Sequence, residues 1–238
     1  MCNGRPTYLQ HIKHNMSIFD TLLSVIAPHE CLGCGAEGAL LCGTCRLLLP
    51  DIPPRCYRCR RISSGGLTCR ACRKVSRLRY VRAATDYEGI AQQLVWRLKF
   101  GGAQAAKREI VHSLLPLVRQ MDCRDACIVP VPTATSRVRQ RGYDQAKLIA
   151  RQLAQEAHLP YIDCVQRQGQ THQVGASRRQ RQKQLAGAFY VRRPQCIRNG
   201  HLILVDDVLT TGATLEAAAA VLRRAGAGQI DALVFAQA

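Results

Sequence analysis

The chain has 238 residues, with 34 Lys plus Arg against 16 Asp plus Glu, a formal charge of +18. That excess points to polyanionic partners and away from basic ones. The length suffices for one substantial α/β domain with a small appendage. No apolar run approaches the length of a membrane span.

Residues 1–15 are polar and patternless and are expected to be disordered. From Met16, Ile18, Leu22, Leu23 and Ile26 form one helical face. The segment 16–27 contains Asp20 and is too short and interrupted for a signal peptide. The cytoplasm is the expected location.

Eight of the thirteen cysteines fall into four C-x-x-C pairs: Cys31/Cys34, Cys42/Cys45, Cys56/Cys59 and Cys69/Cys72. A C-x-x-C turn aims two thiolates at one point, and two such turns complete a closed tetrahedral Zn²⁺ site. The natural parsing is one structural zinc on Cys31, Cys34, Cys42 and Cys45, and another on Cys56, Cys59, Cys69 and Cys72. A single ion and an interleaved pairing are the alternatives. Disulfides are disfavoured in a cytosolic chain. The segment holds too few apolar residues for a core of its own, so metal binding would supply folding energy. The zinc-ribbon-like module, with the helix before it, is expected over residues 16–79. Between Arg55 and Arg82 there are ten Lys or Arg and no acid. Two four-thiolate sites would offset only about four positive charges, so a nucleic-acid face is the better account of the excess.

From residue 80 the composition becomes that of an α/β domain, expected to run to the end of the chain. Residues 80–87 read as a strand. Ile90, Leu94 and Leu98 mark a helix over 88–100, whose sole tryptophan, Trp96, is expected to pack in the core. Lys99 suits that helix's C-terminus. Residues 103–121 read as a second helix and 127–132 as a strand ending in prolines. Next come Arg137, Arg139 and Arg141, then Gly142-Tyr143-Asp144-Gln145 and a helix through residue 157. Residues 171–185 are polar and basic and lie between two strand-like segments.

The stretch from Leu202 to Thr214 organises the rest. Leu202 to Val205 reads as a buried strand that stops at Asp206 and Asp207; Thr210-Thr211-Gly212-Ala213-Thr214 follows, then an Ala-rich helix over 215–225. In a parallel sheet this order puts the acids and the turn at the strand's carboxyl end, where ligands bind. The turn's hydroxyls and the helix N-terminus suit a phosphate. The carboxylates suit sugar hydroxyls or a nearby Mg²⁺. A sugar 5-phosphate satisfies both halves. No G-x-x-x-x-G-K-[ST] is present to make this an ATPase acidic strand.

Hydrophobic strand, Asp-Asp, two variable residues and Thr-Thr-Gly-x-Thr resemble the 5-phosphoribosyl-1-pyrophosphate (PRPP) signature of type I phosphoribosyltransferases. The wider layout resembles the ComF (GntX-like) family of competence-associated proteins: cysteine pairs, V-P-V-P, R-G-Y-D-Q-A, T-H-Q…R-R-Q-R, G-A-F and V-D-D-V-L-T-T-G-A-T. That resemblance covers nearly everything from Met16. It implies a type I phosphoribosyltransferase-like parallel sheet flanked by helices, with a small N-terminal four-cysteine zinc-finger module. It further implies that Asp206 and Asp207 hold the ribose of PRPP, with Mg²⁺. The PRPP-binding segment would run through Val208, Leu209, Thr210, Thr211, Gly212, Ala213 and Thr214. Arg137, Arg139 and Arg141 would meet the pyrophosphate from a loop after the 127–132 strand, and Arg178, Arg179 and Arg181 would reach it, or a polynucleotide, from a closing lid over 171–185. Asp206, Asp207 and Arg141 are the catalytic candidates. The family resemblance also implies handling of incoming single-stranded DNA in natural transformation, alongside DNA-uptake or recombination proteins. The alternatives are a working phosphoribosyltransferase of nucleotide salvage with an unidentified acceptor, and a PRPP-sensing regulator. No acceptor pocket is legible in the sequence.

Overall fold

A computed structural model of the protein describes residues 29–101, 103–123, 125–168 and 187–238. The helix expected over 16–27 and the basic segment over 171–185, with Arg181, lie outside the described residues.

Four strands form a wholly parallel sheet: β1 (Val81–Asp86), β2 (Ala126–Pro130), β5 (His201–Leu209) and β6 (Gln229–Gln237), in the order β1-β6-β5-β2. A small antiparallel pair, β3 (Val165–Arg167) and β4 (Phe189–Val191), lies apart from it. The helices are α1 (Gly43–Leu47), α2 (Arg70–Arg73), α3 (Gly89–Phe100), α4 (Ala103–Arg119), α5 (Thr135–Arg141), α6 (Gln145–Glu156) and α7 (Ala213–Arg224).

The central strands are apolar on both faces because both faces are covered. Alternation along β5 divides the core in two. Ile203 and Val205 pack with α3, α4 and α6 through Leu94, Leu98, Ile110, Leu114, Ile149 and Leu153. Leu202 and Leu204 pack with α7 through Leu215, Ala218 and Leu222.

The cysteine-rich segment joins these two cores instead of standing apart. Leu40, Leu41, Cys31 and Cys45 belong to the α3/α4 side, whereas Tyr57 and Leu78 belong to the α7 side. Arg46 on α1 fixes the first attachment through a 2.5 Å ion pair with the buried Glu109 of α4. The expectation that this segment lacks a core of its own is met by borrowing one from each face of the sheet.

Two expectations are corrected. The strand does not stop at Val205: β5 continues to Leu209, with Asp206 opposite Val234 and Val208 opposite Ala236 of β6. Its other neighbour, β2, ends at Pro130 opposite Val205. Asp206 and Asp207 therefore lie where, among the described residues, one edge of β5 becomes free, still at the carboxyl end. Trp96 is 56% exposed and is not a core residue. Its helix buries Ala91, Leu94, Val95 and Leu98 instead.

Candidate phosphate-binding and metal sites

Strand parity separates the two acids. Asp207 shares the side of Ile203 and Val205, toward α3, and there its Oδ2 meets Lys99 Nζ at 2.8 Å. Lys99, expected from the sequence only to suit the end of its helix, is thus a member of the site. Its place on α3 beside the G-G pair gave no hint of a partner more than a hundred residues away. Asp207 Oδ1 accepts from the Val208 N–H at 2.8 Å, and Asp206 Oδ1 accepts from the Asp207 N–H at 2.9 Å. Burial, reinforced by the neighbouring Asp207 carboxylate, pushes the Asp206 carboxyl well above the usual range. Such a pair, with Lys99 as its one partner cation among the described residues, would be relieved by a divalent ion or by sugar hydroxyls, so the donor set fits Mg²⁺ with PRPP.

The turn after β5 exposes Thr210 and Thr211 and buries Gly212. Gly212 takes φ +75° as the residue preceding α7, and a Cβ there would lie 2.7 Å from the Tyr57 ring. Only glycine suits both the backbone angle and the close ring. The N-terminus of α7 faces this turn, the arrangement that favours a phosphate.

Tyr57 comes from the second cysteine group, so that module touches the turn directly. Its hydroxyl donates to Glu216 Oε1 and lies 2.8 Å from Ser76 Oγ. Burial and then Glu216 raise its phenol, which keeps it a neutral donor. Glu216 also pairs with Arg58 at 3.7 Å and Arg77 at 4.0 Å. Between the second cysteine group and α7 lies an open cleft of about 690 Å³, lined by Arg58, Arg77, Thr211, Gly212, Glu216 and Arg224.

On the other flank, Arg137, Arg139 and Arg141 are not in a loop but on the short helix α5. Its entry is pinned by Asp144, whose carboxylate accepts from Thr133 N and Oγ1, Ala146 N and Lys147 N. Tyr143 donates to the Leu98 carbonyl at 2.6 Å, tying the R-G-Y-D segment to α3. Arg137 and Arg139 are exposed. Arg141 stacks over Phe100, 5.2 Å from the ring centre, and its Nε and Nη1 are shielded without a hydrogen-bond partner among the described residues. Unspent guanidinium donors against Phe100, the residue after Lys99, suit an oxyanion.

The eight paired cysteines gather as two groups, Cys31/Cys34/Cys42/Cys45 and Cys56/Cys59/Cys69/Cys72, each with all four Sγ within 4.8 Å of one another. Cys34 and Cys42 Sγ are 3.8 Å apart, and Cys59 and Cys69 Sγ 3.7 Å. A tetrahedron with Zn–S of about 2.3 Å has an edge of about 3.8 Å, whereas a disulfide needs about 2.05 Å. Backbone N–H groups of Cys42 and Cys69 point at Cys31 and Cys56 Sγ. Backbone donors at Cys42, Cys34 and Gly33 bring the Cys31 thiol down to about 6. At Cys56, burial raises the thiol but is outweighed by donors at Cys59, Cys69 and Arg58, leaving it at about 6. The geometry fits two structural zinc ions with no ligand position left open.

An acid pair at the mouth of a parallel sheet, followed by a hydroxyl-rich glycine turn into a helix, defines a phosphoribosyltransferase-type domain. A profile of the phosphoribosyl transferase domain matches residues 138–238. The chain is 32% identical over 154 residues to competence protein F of Haemophilus influenzae, spanning 61% of this chain and 67% of that one. It is 26% identical over 198 residues to competence protein ComFC of Bacillus subtilis, spanning 78% and 79%. Among solved structures, glutamine PRPP amidotransferase from B. subtilis is 16% identical with a TM-score of 0.38, over 54% of this chain and 26% of the longer enzyme. The chain belongs to the ComF family of competence proteins. Among the described residues no helix is long and apolar enough to cross a membrane.

Proposed function

We propose that this protein binds PRPP with Mg²⁺ at the β5–α7 turn, carries structural zinc in both cysteine groups, and handles incoming single-stranded DNA in the cytoplasm during natural transformation. One observation carries the reading. The free edge of β5 presents Asp206 and Asp207 next to an exposed Thr210-Thr211 turn whose Gly212 opens α7. Asp206 and Asp207 accept the ribose hydroxyls, and Lys99 holds the Asp207 carboxylate in place. The turn and helix N-terminus receive the 5-phosphate. Arg141 contributes guanidinium donors on the pyrophosphate side, with Arg137 and Arg181 as further candidates. Mg²⁺, when bound with PRPP, neutralises pyrophosphate charge. The competence names of the relatives support the DNA role, and the charge of +18 supplies a physical basis for it.

Asp206→Asn combined with Asp207→Asn tests the ribose assignment in a calorimetric titration of PRPP. Affinity is expected to fall at least tenfold while zinc content stays at two ions per chain. Unchanged affinity refutes the assignment.

A further inference from the structure

The exposed aromatic pair on α3 lies on the flank of the acid pair. Trp96, Lys99 and Phe100 are at i, i+3 and i+4, so they share one helical face. On that face Lys99 reaches Asp207. Trp96 and Phe100 are each 56% exposed, with ring centres 5.8 Å apart. A tryptophan so exposed is unusual for a residue with so much apolar area to bury. Two guanidinium groups attend the rings: Arg97 lies 5.9 Å from the indole centre and Arg141 5.2 Å from the Phe100 centre. The R-G-Y-D segment is held against this end of α3 by the Tyr143–Leu98 bond, so the platform and the candidate pyrophosphate side form one continuous surface.

Exposed aromatic faces interleaved with arginines have the chemistry of a single-strand site, in which bases stack on rings and phosphates meet cations. A free nucleobase would need the rings but not the flanking charges, whereas a strand uses both. We propose that Trp96 and Phe100 form a stacking platform for one or two bases of a single-stranded polynucleotide, with Arg97 meeting its backbone. The inference rests on the proposed DNA role and gives it a location beside the PRPP site.

Trp96 is the only tryptophan in the chain, so its fluorescence reports the platform directly. The zinc-loaded full chain is titrated with a dye-labelled fifteen-nucleotide oligothymidylate, reading anisotropy, and with the unlabelled strand, reading tryptophan emission. Quenching is expected to track binding, and an abasic strand of equal length is expected to bind more weakly without quenching. Trp96→Ala is expected to weaken binding about 5- to 150-fold, Phe100→Ala by a similar factor, and Trp96→Phe by less than about 5-fold. Melting temperatures of these variants should stay close to the parent, because both rings are exposed. Full binding by Trp96→Ala, or equal binding of the abasic strand, overturns the platform while leaving the DNA role intact. Quenching by free adenine at the concentrations that suffice for the strand overturns the choice of a strand as occupant. Absence of any DNA anisotropy change in the parent, with PRPP still bound, overturns the DNA role itself.

Discussion

Asp206 and Asp207 are neighbours with opposite energetic roles. Asp207 has Lys99 at 2.8 Å, while Asp206 is held beside a second carboxylate with its own carboxyl pushed upward. Replacing Asp206 by Asn removes a buried carboxyl held beside a second one and is expected to raise the melting temperature of the ligand-free protein. Replacing Asp207 by Asn strips Lys99 of its partner and is expected to lower stability by about 2 kcal/mol. Both should weaken PRPP binding. Scanning calorimetry of the single variants separates them, and equal shifts in one direction would contradict the account. Gly212 offers a second residue-level test. Gly212→Ala meets both an unfavourable backbone angle and the Tyr57 ring, so it should lower PRPP affinity and stability together. Adding Tyr57→Ala should recover only the steric share. The motif itself is fully legible in the chain, as are the eight cysteines. Lys99 and Tyr57 are not, because each reaches the site across a long sequence separation with only a side chain's length of signal.

At the level of elements, the register of β5 decides where the chemistry sits. The apolar run ends at Val205, which invites a strand ending there; pairing with β6 carries the strand four residues further. An acidic pair inside a strand is invisible to hydropathy, since the pattern registers the change of polarity and not the hydrogen bonds that continue past it. The same limit applies to α5: three arginines in seven residues read as a loop, while the Asp144 cluster and the left-handed Gly142 frame a helix. Trp96 misled for a third reason, because aromatic residues are usually buried and the apolar face of α3 is complete without it. The opposite end of the sheet has a different task. Buried Asp231 of β6 accepts from Arg79 at 2.9 Å, His201 Nε2 lies 2.7 Å away, and the Tyr80 N–H donates to it as well. Burial alone would raise its pKa; His201 and Arg79 outweigh that, and the carboxyl is lowered. A depressed folded-state pKa gives stability that is present above the unfolded value of about 3.9 and lost as pH falls through the folded one. Acid unfolding below about pH 4 should therefore be less steep in Asp231→Asn, which starts about 3 kcal/mol less stable at neutral pH. An unaltered acid limb in urea titrations at several pH values would rule out that role.

Taken as a whole, the molecule brings a cysteine-rich module into contact with the threonine-glycine turn that follows β5. The module grips both faces of the sheet and sets Tyr57 against Gly212. Cys56→Ser is therefore expected to cost zinc and PRPP affinity together, and metal analysis beside the PRPP titration checks both. On the side of the α3 aromatic pair, Arg97, Arg137 and Arg139 are exposed. If DNA makes about six phosphate contacts, the log–log salt slope for a single strand should be roughly −4, and changing these three arginines to Ala should bring it to about −2. The triple variant Arg73→Ala, Arg77→Ala, Arg224→Ala removes equal charge from around the α7 cleft and should change the slope less. Equal loss in both would assign binding to overall charge alone. The most direct test of the central claim is calorimetric titration of the zinc-loaded protein with PRPP and Mg²⁺, repeated with saturating single-stranded DNA. The account predicts one PRPP per chain, with an affinity that the DNA alters. No heat of PRPP binding in either titration would contradict it and leave a basic protein with two four-cysteine groups whose acid pair and turn hold no sugar phosphate.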